Sequence, residues 1–222
     1  MAATMKLTRN ESRLFLRDPI ALFFGVVFPA VLLVALGFLF PGFDEPSADL
    51  DGARYIDVYA PITLALGLAT LGLVTLPPIL SGYRQLGILR RLRTTPVHPA
   101  RLLTAQMAVH TIVAVVAATV AVVAAIVFFD VVVPESLPLF VLAWVLSTAS
   151  VFAIGLLIGA LARTTTSGQA IGMGIYFPML FFAGVWIPRT LMPDGLRLVS
   201  DLTPLGAAVQ ALHDSWFAGS ID

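Results

Sequence analysis

The amino-acid sequence predicts an all-α protein whose helices cross a membrane several times. Hydrophobic residues make up 59% of the 222-residue chain, and charged residues make up only 12%. A soluble domain carries about 25% charged residues. Uncharged apolar runs also reach the length of about 20 residues that a helix needs to cross a bilayer. Both observations place the chain among polytopic helical membrane proteins.

Five apolar segments are predicted to span the membrane. The first, Ile20–Phe40, would be roughly 31 Å long at 1.5 Å per residue. It contains Pro29, which a membrane helix tolerates with a kink. The second, Tyr59–Leu80, has Pro61 in its first turn, where the missing N–H costs little. The other three are Leu102–Phe129, Pro138–Leu161 and Ala170–Ile187.

Charged residues between these spans divide unequally between the two sides of the membrane. One side carries ten of the thirteen basic residues and only two acids, whereas the other carries three basic residues and eleven acids. Because basic loops remain in the cytoplasm, we expect a cytoplasmic N-terminus, a cytoplasmic loop 81–101 and an extracytoplasmic segment 188–222. The loop holds five arginines: Arg84, Arg90, Arg91, Arg93 and Arg101.

Residues 1–18 are predicted to form a basic helix on the cytoplasmic surface. Leu7, Leu14 and Phe15 can share one helical face, with the arginines of this segment outside it. A basic flank that only fixes the topology explains the same charges, and both interpretations stay open. A cleaved signal peptide is excluded because no small-x-small site follows the apolar run.

The residues that soluble enzymes use for catalysis are largely missing. The chain has no cysteine and a single lysine, Lys6, so a phosphate-binding loop ending in Lys-Ser/Thr cannot occur. The three histidines are isolated and lack metal-ligand spacing, and no G-x-S-x-G nucleophile motif is present. We therefore predict no catalytic, cofactor-binding or metal-binding residue in this chain, and no nucleic-acid partner.

The predicted spans contain no Asp, Glu, Lys or Arg, which argues against an ion-coupled carrier. His110 is a lone ionisable residue at membrane depth. It is either a functional group or a neutral histidine hydrogen-bonded to a neighbouring helix. Two glycine pairs at i, i+4 spacing, Gly155 with Gly159 and Gly168 with Gly172, predict close helix packing.

Three stretches of the chain carry a family resemblance. They are RNESRLFLRDPIALFFGVVFPAVLLVALGFLF from Arg9, LGILRRLRTTPVHPARLLTAQ from Leu86, and FFAGVWIPRTLMPDGLRLVSDLTPLGAAVQAL from Phe181. In order and spacing they resemble the permeases of ABC-2 type exporters, particularly the daunorubicin-resistance and nodulation-export branch. The resemblance implies an ABC-2 (type V exporter) architecture in a single domain, residues 1–222.

The sequence departs from that family at two places. Gln85 stands where many relatives have Glu. A sixth span ordinarily follows the outer segment, whereas the sequence stops at Asp222 before one. Either the sequence is truncated, which we expect, or the last helix is truly missing.

The resemblance implies the permease subunit of an ATP-driven exporter in the cytoplasmic (inner) membrane of a prokaryote. Its substrate would be a hydrophobic drug, lipid or glycolipid-like molecule. ATP and Mg²⁺ would be held by two separate ABC ATPase subunits. A second permease copy or homologue and membrane lipids would be the other partners.

The resemblance also implies two sets of functional residues. The cytoplasmic loop would dock on the ATPase through a leucine ridge surrounded by arginines: Leu86, Leu89, Arg90, Arg91, Leu92 and Arg93. The substrate pathway would lie at a dimer interface formed by spans two and five, where span five offers Met173, Tyr176, Phe177 and Phe181. As alternatives, the arginines only fix topology and the aromatic residues only pack.

Two other classes of function stay in view. A membrane assembly or insertion factor without transport activity would need neither the leucine ridge nor an ATPase. An ion-coupled carrier is the third class. A neighbouring gene for a soluble P-loop ATPase would favour the exporter.

Overall fold

A computed structural model describes residues 2–50, 52–92, 94, 98 and 100–217, and helices account for most of them. Nine α-helices follow one another in this part of the chain. They are α1 (Ala2–Leu16), α2 (Pro19–Leu39), α3 (Tyr55–Gln85), α4 (Ile88–Leu92), α5 (Ala100–Phe129), α6 (Leu137–Leu161), α7 (Thr165–Phe182), α8 (Asp194–Leu202) and α9 (Pro204–Phe217). No strand occurs among the described residues, which confirms the all-α fold class.

Four of these helices, α2, α3, α5 and α6, are long and apolar enough to cross a membrane. They match the first four predicted spans. The fifth prediction, Ala170–Ile187, was placed about five residues too far along the chain. Helix α7 begins at Thr165 because Thr164 and Ser167 form a capping box there. Its 18 residues extend for about 27 Å, and its first turns are polar.

Helix α3 lies at the centre of the bundle. The most apolar window of α3 is 78% buried, against 22%, 28% and 44% for the other three spans. It contacts α2, α5, α6, α7 and α9. A helix that is apolar all round is suited to this central position, because most of its surface meets neighbouring helices.

Two of the prolines inside the spans are accommodated by π-helical turns. Phe23–Val27 forms such a turn before Pro29, and Thr70–Thr75 forms one before Pro77. Proline lacks an N–H and its ring collides with the carbonyl four residues earlier. A wider turn relieves that conflict. Helix α3 therefore continues past Pro77 to Gln85, further than the sequence predicted.

Glycines bring α6 and α7 into contact with the backbone of α3. A Cβ atom at Gly155 would collide with the carbonyl oxygen of Gly72, and one at Gly172 would collide with that of Leu73. The other glycine of each predicted pair, Gly159 in α6 and Gly168 in α7, also lies against α3. The prediction that both pairs serve close packing is confirmed.

Two groups of polar contacts mark the two ends of the bundle. At the acidic end, Arg54 donates two 2.8 Å hydrogen bonds to Asp57, one of 2.8 Å to Asp44 and one of 3.0 Å to the carbonyl oxygen of Phe129. These bonds join the 41–54 loop to the start of α3 and the end of α5. At the opposite, basic end, the end of α3 meets the starts of α5 and α7.

We expect Gly172→Ala to destabilise the protein and Gly174→Ala to leave it unchanged or slightly more stable. A Cβ at residue 172 would push α7 away from α3, whereas one at residue 174 meets nothing within 4 Å. In a helix interior, alanine is favoured over glycine by about 1 kcal/mol. The measurement is the temperature at which each detergent-solubilised variant loses its monodisperse size-exclusion peak. Equal temperatures for both variants would contradict the packing described above.

Candidate functional site

An open groove runs along one side of the bundle. Helices α1 and α2 form one wall, α7 forms the other, and α3 forms the floor. Its volume is about 980 Å³. The groove extends from Glu11 and Tyr83 at the basic end to Val185 and Trp186 at the acidic end. It therefore follows most of the length that would lie within a membrane.

Helix α7 contributes three of the four residues predicted for a substrate pathway. Met173, Tyr176 and Phe177 line the groove, whereas Phe181 is not among its lining residues. The Tyr176 hydroxyl lies 3.0 Å from the hydroxyl of Thr70 on the groove floor. This contact joins α7 to the π-helical turn of α3.

The opposite wall consists of apolar residues that the sequence analysis did not single out. Phe24, Phe28 and Leu32 of α2 line the groove. They recur every four residues and so share one face of a helix. This four-residue spacing is the feature of the sequence that could have identified these residues as one wall of the groove. It did not stand out, because almost every residue of this span is apolar.

A buried polar cluster closes the groove at the basic end. Glu11 of α1 is only 6% exposed. The Tyr83 hydroxyl donates a 2.5 Å hydrogen bond to its Oε2 atom, and Gln106 Nε2 lies 3.5 Å from the Tyr83 oxygen. Burial raises the pKa of Glu11, and the hydrogen bond from Tyr83 opposes that rise. The cluster connects α1, α3 and α5.

The predicted helix at residues 1–18 is present as α1, which packs along α5. Phe15 is buried, and its ring centroid lies 5.8 Å from that of His110. Arg9, Arg13 and Arg17 are exposed. The expected division between an apolar face and a basic face is therefore largely present, although the sequence pattern did not indicate that Glu11 faces inward.

His110 is fully buried between helices. Its Nδ1 atom lies 3.0 Å from the carbonyl oxygen of Gln106, and its Nε2 atom lies 3.3 Å from the hydroxyl of Thr75 in the π-helical turn. These contacts are those of a histidine hydrogen-bonded to a neighbouring helix. Of the two interpretations left open by the sequence, the packing role has direct structural support.

The predicted docking residues lie in and around α4. Leu86 is the C-cap residue of α3 and lines the groove, and Gly87 with φ of +67° separates it from α4. The leucine ridge is therefore interrupted at this turn, because the left-handed backbone redirects the chain. Arg90 and Arg91 are exposed on α4, and Leu92 is half-buried. Arg93 and the side chain of Leu89 lie outside the described residues.

Gln85 joins the end of α3 to the start of α7. Its carboxamide oxygen accepts hydrogen bonds from the backbone N–H of Thr165 at 2.9 Å and from its hydroxyl at 3.2 Å. The first N–H groups of a helix have no partner inside the helix. Gln85 therefore satisfies one of them from outside α7. A glutamate, expected here in many relatives, could accept the same bonds.

Among the described residues, no group of three or more His, Asp or Glu side chains could hold a metal ion.

Comparison with protein-family models matches residues 2–217 to the family described as ABC-2 type transporter. No curated protein and no solved structure matches the chain in the corresponding comparisons.

Replacing Gln85 by leucine should lower the free energy of unfolding by about 1 kcal/mol, a typical effect of losing a helix-capping side chain. Gln85→Glu should retain most of the stability, since a carboxylate oxygen can accept both hydrogen bonds from Thr165. The comparison uses the unfolding temperatures of the two variants and the wild type in the same detergent. Equal stability of Gln85→Leu and the wild type would show that the bond between α3 and α7 contributes nothing.

Proposed function

Since the chain belongs to the ABC-2 type transporter family and is a permease component, we propose that it exports a hydrophobic molecule across the cytoplasmic membrane of a prokaryote. The substrate would be a drug, lipid or glycolipid-like compound. The family match over residues 2–217 carries this proposal. The apolar groove adds support, because its volume of about 980 Å³ is at the upper end of small-molecule sites, roughly 300–1,000 Å³.

The groove would form half of the transport pathway. It is open along one side, so a single chain cannot enclose a substrate within it. A second permease copy or homologue facing it would complete the wall. Helices α3 and α7, which provide the floor and one wall, are the helices that the sequence analysis assigned to the dimer interface. Membrane lipids would contact the outer faces of α2 and α5.

Export would be driven by two ABC ATPase subunits that bind ATP and Mg²⁺. These subunits would contact α4 and the rest of the 81–101 loop at the basic end. Because α4 follows α3 after a single turn, movement of α4 would pass to the groove floor. The hydrogen bonds from Thr165 to Gln85 would carry the same movement into α7.

The charge distribution supports a cytoplasmic basic end. Ten basic residues lie in the N-terminal segment, the 81–101 loop and the turn before α7. Such an excess of arginine and lysine typically marks the cytoplasmic side. We therefore orient the N-terminus and α4 toward the ATPase, and the Arg54 contacts and α8 toward the outside.

Single cysteines test this orientation, because the chain has none of its own. In intact cells, Arg54→Cys and Asp214→Cys should react with a membrane-impermeant thiol reagent. Arg91→Cys and Arg163→Cys should react only after the cells are opened. Labelling measured by mass shift on gels gives the result. Reaction of Arg91→Cys in intact cells, with Arg54→Cys unreactive, would reverse the orientation and remove the proposed docking surface.

Docking on the ATPase should depend on packing more than on charge. Burying a leucine contributes roughly 1.5–3 kcal/mol, whereas an exposed ion pair contributes about 0–1 kcal/mol. Leu89→Ala should therefore reduce copurification of the ATPase more than Arg91→Ala does. The effect of Arg91→Ala on copurification should depend on salt concentration, because salt screens the attraction between exposed charges.

The double variant Leu89→Asp with Leu92→Asp should abolish copurification while membrane insertion remains normal, because both residues lie outside the spans. Leu198→Asp, on the exposed face of α8, serves as a matched control and should retain the ATPase. If the double variant still binds the ATPase and supports export, α4 is not the docking site. A wild-type chain that never copurifies with an ATPase would favour an assembly factor.

A further inference from the structure

The groove contains acidic but no basic side chains among its described lining residues. Glu11 and Asp18, both near the basic end, are the charged residues that line it. Arg13 on α1 and Arg17 just after it are exposed and do not line the groove. At the end of the molecule richest in arginine, the groove thus presents the opposite charge.

Asp18 already has a structural role. Its Oδ1 atom accepts hydrogen bonds from the backbone N–H groups of Ile20 at 3.1 Å and Ala21 at 3.0 Å. These bonds cap the first turn of α2, where a carboxylate is favourable. Asp18 is also exposed. Its charge is therefore balanced by the helix start and by solvent.

Glu11 differs from Asp18 in burial and in partners. It is 6% exposed, and its hydrogen bond comes from the neutral hydroxyl of Tyr83. Within the described part of the chain, no arginine or lysine forms an ion pair with it. A buried carboxylate without a cationic partner is costly. The Tyr83 hydroxyl bonds the Oε2 atom, and within the described part of the chain no hydrogen bond to Oε1 occurs.

The rest of the groove suits the apolar part of an amphiphile. From Glu11 toward the acidic end, the walls are formed by Phe24 and Phe28 on one side and Met173 and Phe177 on the other. Trp186 lies at the far end. Aromatic faces also attract cations. One carboxylate at one end of an aromatic groove is complementary to a molecule with one cationic group and a hydrophobic body.

We propose that the groove selects hydrophobic cations and that the Glu11 carboxylate is their counter-ion. Tyr83 is a positioning residue, because its hydroxyl donates a hydrogen bond to Oε2 and so orients the carboxylate. An anionic lipid would place a second negative charge beside a buried carboxylate, and such like-charge contacts are unfavourable. The proposal rests on the proposed function in one respect, namely that the groove is the substrate pathway.

Two probes of nearly identical size and shape test the sign of the charge. Tetraphenylphosphonium is a hydrophobic cation, and tetraphenylborate is its anionic counterpart. Binding of each is measured by equilibrium dialysis with the purified full chain in a neutral detergent, after subtraction of protein-free micelles. Glu11→Gln should weaken tetraphenylphosphonium binding by about tenfold or more and leave tetraphenylborate binding unchanged or stronger.

Glu11→Gln preserves the local structure, since the glutamine oxygen can still accept the Tyr83 hydrogen bond. Glu11→Asp retains the charge and should keep the preference for the cation. Asp214→Asn removes an exposed acid outside the groove and should alter neither probe. A conserved size-exclusion profile shows that each variant remains folded.

Two results would overturn the proposal. In the first, Glu11→Gln binds tetraphenylphosphonium as tightly as the wild type does. In the second, the variant loses both probes to the same extent, which would mean that Glu11 only holds the groove in shape. Probe binding is measured without ATP, so its result does not depend on an ATPase. If the wild-type chain fails to copurify with an ATPase, the proposed function is defeated separately and the binding result still stands.

Discussion

Backbone contact between α3 and the glycines of α6 and α7 is the constraint on which the rest of the structure depends. In a bilayer, apolar side chains gain little by leaving lipid for another helix, so association relies on close van der Waals packing. Gly155 and Gly172 allow that packing because a side chain at either position would collide with a carbonyl oxygen of α3. With α6 and α7 held in this way, α3 becomes the central helix, and one part of its surface forms the groove floor.

The π-helical turn of α3 links this packing to the groove. It accommodates Pro77 and contains Thr70 and Thr75, both of which line the groove. Thr70 lies within hydrogen-bond distance of Tyr176, and Thr75 lies within reach of His110. The turn therefore gives a span that is otherwise apolar two polar contacts, each to a different neighbouring helix. Short π-helical turns often occur at functional sites.

Charged and amide contacts concentrate at the two ends of the bundle and leave the middle apolar. At the acidic end, Arg54 holds the 41–54 loop against α5. At the basic end, Glu11 and Gln85 connect α1 and α7 to the last turns of α3. This separation follows from the high cost of unpaired polar groups in a bilayer. At the end where we place the ATPase, these contacts join three of the helices around the groove, α1, α3 and α7.

The sequence by itself determined that the chain is a helical membrane protein. It also determined the approximate bounds of four spans, the division of charge between two sides, and the use of glycine pairs for packing. Those properties depend on the length, apolarity and spacing of local segments. Only the tertiary structure decided which faces meet. Phe24 and Phe28 face the groove and Phe181 does not, although all three belong to apolar segments. The sequence places Glu11 in a basic surface helix, yet its side chain is buried beside Tyr83, a residue 72 positions away. A uniformly apolar helix carries no local signal of its inward face, because that face is set by the neighbours that pack against it.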